Sequence, residues 1–201
     1  MNQFVNCISV ISETLTEKLK YTSGHRHVRL EVAAWVLDKP TSIPYLVEHC
    51  FNIDNDLSYK ATWILEFVCL ENLELIYPFL DDFFKNLPKV YKHQAVRPLA
   101  KICEMLAKRN YKNEDPKLTK LLKSDHKEIM TACCFDWLIS NQRVACEVYA
   151  MSTLYYLGTE IEWIHSELKT IIESNIMEST AGYKSRAKQV LSLIEKFRYI
   201  S

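Results

Sequence analysis

Residues 60–68, Lys60-Ala61-Thr62-Trp63-Ile64-Leu65-Glu66-Phe67-Val68, place Ala61, Leu65 and Val68 at steps of four and three, on one face of a helix. The same spacing recurs as Ala95-Leu99-Ile102, Ala150-Leu154-Leu157 and Ala187-Leu191-Ile194, with Ala33-Leu37 as a truncated first copy. A small residue lets a partner helix approach closely, and the larger ones fill the layer between helices. Repetition of that stripe in the second helix of successive pairs describes stacked pairs that bury a continuous core. The expected fold is all-α, an α-α superhelix of about five antiparallel helix pairs forming a single domain over residues 1–201.

Composition fits this reading. Hydrophobic residues make up 48% of the 201 and charged residues 25%, enough apolar surface for a packed core. Only three glycines occur, Gly24, Gly158 and Gly182, too few for the many positive-φ turns of a sheet protein or a phosphate-cradling loop. The 25 basic side chains balance the 25 acidic ones, so no global field draws the chain onto nucleic acid or anionic lipid. Seven cysteines, an odd number scattered through apolar helical patterns, read as reduced thiols of a cytoplasmic protein. The start, Met1-Asn2-Gln3-Phe4-Val5, lacks the basic region of a secretory leader, and no apolar run reaches membrane-spanning length.

Along the chain, Phe4, Ile8, Ile11, Leu15 and Leu19 form a first helical stripe. Further helices are expected at about 28–38, 43–53, 58–70, 73–87 and 94–108, with Pro78 and Pro98 kinking or delimiting theirs. Residues 110–125 are polar and lysine-rich, a surface insertion with one short helix after Pro116. Pairing resumes at 126–139, 144–157, 165–177 and 181–199.

The proline in a first helix, Pro44 or Pro78, and the Val-Arg opening a second, Val28-Arg29 or Val96-Arg97, resemble HEAT repeats over nearly the whole chain. The segments 60–68 and 96–104 are similar to short bacterial HEAT-like proteins often labelled adenylosuccinate lyase. The signature loop of that lyase superfamily reads Gly-Ser-Ser-x-Met-Pro-x-Lys-x-Asn. The nearest stretch here is Glu178-Ser179-Thr180-Ala181-Gly182-Tyr183-Lys184-Ser185-Arg186, which keeps a Ser and a Lys but lacks the leading Gly, the Met-Pro and the Asn. Neither an anion-binding loop nor a positioned catalytic serine follows from it.

No catalytic residue, metal site or cofactor is expected. His25 and His27 share one loop without further ligands, Cys133 and Cys134 diverge as helix neighbours, and His49-Cys50 has no orienting third group. Asp136, between Phe135 and Trp137, resembles the acidic residue beside aromatics of DNA-alkylation repair glycosylases, which also use a HEAT-like fold. A glycosylase-like or nucleic-acid-binding protein is therefore the alternative, with the balanced charge against it.

The leading expectation comes from the face opposite the alanine-leucine stripe. Solvated helix faces carry Lys and Glu, whereas this one carries Trp35, Tyr59, Trp63, Glu66, Arg97 and Glu104. In register, Trp63 would lie between Trp35 and Arg97, and Arg97 would grip a carboxylate with two parallel bonds. Such a concave face suits an acidic or aromatic peptide, so a non-enzymatic binding or scaffold module with a protein or peptide partner is expected.

Overall fold

The computed structural model describes residues 2–140 and 142–198. The side chains of Phe4 and Ile8, and all of Tyr199, lie outside the description. Among the described residues there are eleven α-helices and no strand. They are α1 (Asn2–Tyr21), α2 (Arg26–Asp38), α3 (Ile43–Phe51), α4 (Ser58–Glu71), α5 (Leu80–Asn86), α6 (His93–Tyr111), α7 (Pro116–Leu121), α8 (Ser124–Ile139), α9 (Val144–Gly158), α10 (Glu162–Asn175) and α11 (Ala181–Arg198). The chain is all-α, its helices packed in pairs, and it divides into two compact units, Met1–Leu99 and Ala100–Ser201. Among the described residues no helix is long and apolar enough to cross a membrane.

The first unit is organised around α4, against which α2 and α3 pack. Ala61, Leu65 and Val68 are buried there, and so are Ile64, Phe67 and Cys69, because this helix is apolar around most of its circumference. Leu15 and Leu19 of the α1 stripe are buried as well. The second unit repeats the plan around α9, which packs on α8, α10 and α11 and buries Ala150, Leu154 and Leu157. Of the recurrent stripe positions, only Leu37 and Leu191 remain half-buried.

Three stretches depart locally from the expected helices. The helix expected at 73–87 opens as a 3-10 segment, Leu73–Phe79, capped by the Asn72 side chain, and becomes α-helical only after Pro78. The helix expected at 43–53 stops at Phe51. The polar stretch 110–125 does form a short helix after Pro116, but that helix is anchored inward. Asp115 caps it through the Lys117 and Leu118 amides at 3.0 and 3.1 Å and takes the Arg109 Nε at 3.0 Å, while Leu118 and Leu122 are buried. Its lysines Lys112, Lys117, Lys120 and Lys123 stay exposed.

Six cysteines, Cys50, Cys69, Cys103, Cys133, Cys134 and Cys146, are free and buried among the described residues. Burial pushes their thiols upward where a shift is resolved, Cys133 to about 12, so they resist forming the reactive thiolate.

Gly158 ends α9 where the His165 ring of α10 crosses it. A Cβ there would lie 2.1 Å from His165 Cδ2. The ring is pinned by Nε2 donating to the Tyr155 carbonyl at 2.8 Å, by stacking on Tyr155, and by Phe197 edge-on at 5.3 Å. Gly158→Ala should therefore destabilise the second unit by about 1–3 kcal/mol through overpacking. Gly24→Ala, with open space around the new methyl, should cost far less. Denaturant midpoints of the two variants check this.

Candidate functional site

Pro98 lies inside α6 without ending it. Having no N–H, it cannot bond the carbonyl of Gln94 one turn earlier, and its ring crowds that carbonyl off the helix axis. The Trp63 indole of α4 takes the place of the missing donor, Nε1 donating to Gln94 O at 3.0 Å. One residue before the proline, Arg97 reaches back to the same helix. Its Nη1 donates to Glu66 Oε1 at 2.9 Å and its Nη2 to Glu66 Oε2, a two-bonded fork on a carboxylate that is only 5% exposed.

Tyr59, Trp63, Glu66 and Phe67 share this side of α4. Tyr59 meets the Trp63 ring edge to face, the centroids 5.0 Å apart. The guanidinium of Arg29, from the first turns of α2, lies 5.3 Å from the Trp63 ring centroid and 5.6 Å from that of Phe67. Arg26 covers the Phe67 ring from 5.2 Å. Arg29 Nη2 donates to the Gly24 carbonyl at 3.0 Å, and its Nε is buried without an acceptor. Burial, then the Arg97 charge, lowers the Arg29 pKa from its ordinary value; Glu66 opposes this and Arg26 adds to it.

Four of the six residues expected on the recognition face thus come together: Tyr59, Trp63, Glu66 and Arg97. Trp35 has other partners, with Lys18 Nζ 5.4 Å and Lys39 Nζ 5.5 Å from its ring centroid. Glu104 belongs to the second unit, where it is 8% exposed and paired with Lys101 at 2.7 Å and Arg186 at 3.1 Å. Arg186 also donates to Ser152 Oγ, and Lys101 lies 4.7 Å from the Tyr149 ring centroid. Arg97 makes the expected two-bonded grip on a carboxylate inside the protein, with Glu66. The residue missing from the expected face is Arg29. It stands in the same Val-Arg setting as Arg97, and that dipeptide is the one sequence signal that could have found it.

The other constellations are placed as follows. His25 and His27 are exposed and stacked, 5.8 Å apart. Among the described residues no three His, Cys, Asp or Glu side chains converge as a metal ion would require. Asp136 is exposed, with Trp137 buried and Phe135 stacked on Trp163 at 5.8 Å. Ser179 donates its hydroxyl to the Asn175 carbonyl at 2.6 Å, closing the turn after α10. No protein family, curated protein or solved structure matches this chain.

Arg97→Ala strands the buried Glu66 carboxylate and should destabilise the fold by about 3 kcal/mol. Replacing both partners by leucine removes the stranded charge and should recover most of that loss. Urea unfolding of the single and double variants checks the difference.

Proposed function

We propose that the chain is a non-enzymatic binding module on a HEAT-like α-solenoid, and that it takes a peptide or protein partner on the face of its first unit formed by α2, α4 and the start of α6. The observation that carries this reading is the layer of Arg26 and Arg29 over the Phe67 and Trp63 rings, extended by Tyr59. Aromatics and arginines are the side chains that supply most interface energy, the first by contact area at low entropic cost, the second by forked hydrogen bonding. The buried alanine-leucine stripe in successive helices favours the solenoid, since it gives each pair a closely packed inner layer.

The partner is expected to be acidic or aromatic, and Trp35, with a lysine ammonium on either side of it in sequence, extends the same chemistry along α2. Glu66 and Arg97 hold the platform and Glu104 is engaged within its own unit.

Panning a random peptide library on the full chain should enrich acidic, aromatic-containing sequences. Their affinity should fall about 30-fold, on the scale of an interface anchor, in Trp63→Ala, and clearly in Tyr59→Ala, with melting curves confirming that both variants fold. Enriched peptides that bind both folded variants as well as the original chain would contradict the reading. Retention on heparin with release by salt, and no peptide enrichment, would favour the nucleic-acid alternative instead.

A further inference from the structure

Helix α2 begins against the usual electrostatic preference. Helix N-termini carry a partial positive charge and unsatisfied N–H groups, so they favour Asp, Ser or Thr caps and acidic first turns. Here His25 stands at the cap with no side-chain hydrogen bond to the helix, the first turn holds no acidic residue, and Arg26, His27 and Arg29 occupy its start. Arg97 adds a third guanidinium charge close enough to act on Arg29, and Glu66 is the carboxylate that answers it. With Arg97 neutralised by Glu66, Arg26 and Arg29 leave an excess of two positive charges.

The two N-terminal arginines are also held in place. Arg29 is fixed by the Gly24 carbonyl and by the Trp63 and Phe67 rings, and Arg26 by Phe67. Their side-chain entropy is thus partly spent before any ligand arrives, which is the condition for a preorganised site. The loop leading into them is open: a Cβ at Gly24 would meet nothing within 4 Å. Arg26 is exposed and Arg29 half-exposed.

We infer that Arg26 and Arg29, backed by Arg97 and the uncapped start of α2, form a binding site for a phosphate monoester carried by the peptide partner. The inference rests on the peptide-binding reading and names the chemistry of that partner. A monoester carries roughly −1.5 to −2 charges at neutral pH and three strong acceptor oxygens, which matches an excess of two positive charges and the exposed guanidinium of Arg26. A carboxylate or a phosphodiester brings about one charge and fits less well. The balanced charge of the whole chain favours a single local group over a nucleic-acid backbone.

The test uses the full chain and three small probes, N-acetyl-O-phosphoserine amide, N-acetylglutamate amide and a thymidine dinucleotide phosphodiester, with inorganic phosphate as a fourth. Binding is followed by NMR of the arginine Nε–H resonances. The phosphoserine probe should saturate, shift the Arg26 and Arg29 signals, and bind at least tenfold tighter than the glutamate or phosphodiester probes. Affinity should drop tenfold or more in Arg29→Lys, which loses the planar guanidinium held over the Trp63 and Phe67 rings, and in Arg26→Ala, whose exposed side chain can be removed without unfolding. Equal binding of phosphoserine and glutamate probes, tighter binding of the phosphodiester, shifts confined to other arginines, or unchanged affinity in folded Arg26→Ala would each overturn the site. If panned peptides still depend on Trp63 while phosphoserine does not bind, the phosphate site fails and the peptide-binding reading stands. If phosphoserine binds but panned peptides ignore Trp63, the failure is that of the peptide reading.

Discussion

A hydrogen bond that Pro98 cannot make organises the first unit. By withholding its donor from Gln94, the proline leaves a carbonyl near the start of α6 that water or another donor must satisfy, and the Trp63 indole supplies it. With the Arg97–Glu66 fork one residue away, α4 and α6 are joined by two polar links on the same side. These links orient the Trp63 ring and, with Phe67, make the platform on which Arg29 and Arg26 lie. A tryptophan in this position is at once a structural donor and an aromatic surface. Its indole N–H is committed inward while a face of the ring receives a cation.

Both units use the same solution to the packing of short helices. Each surrounds a helix that is apolar on most sides, α4 or α9, and hides its few polar groups by local bonding. Thr62, Ser152 and Thr153 donate to carbonyls three or four residues earlier, so their hydroxyls do not disturb the layer. The buried acids are handled by arginine forks or mixed cation pairs, Glu66 with Arg97 and Glu104 with Lys101 and Arg186. Ion pairs of this kind add little net stability over apolar residues, but breaking one is costly.

The helices and their buried stripe could be read from the sequence because periodicity reports burial directly: Ala61, Leu65, Val68 and their counterparts in α9 are all inaccessible. The face opposite the stripe was only half legible. Register opposite the alanine-leucine stripe put Glu66 and Glu104 on an outward face, yet pairing buries both. Trp35 seemed to share a ladder with Trp63, but it stands six residues after Arg29, about 120° around α2 from the residue that touches Trp63. Nothing in the spacing of α2 alone selects Arg29 over Trp35; that choice depends on how α2 is rotated against α4. The inward anchors of α7, Leu118 and Leu122, were likewise hidden by the lysines around them.

The link between Pro98 and Trp63 is tested most directly by a double-mutant cycle on folding stability with Pro98→Ala and Trp63→Phe. Alanine at 98 restores the donor to Gln94, so losing the indole N–H should cost about 1 kcal/mol in the original chain and markedly less in the Pro98→Ala background. Coupling of that sign would show that Trp63 answers the carbonyl the proline leaves open. Additive effects, with Trp63→Phe costing the same in both backgrounds, would contradict the account.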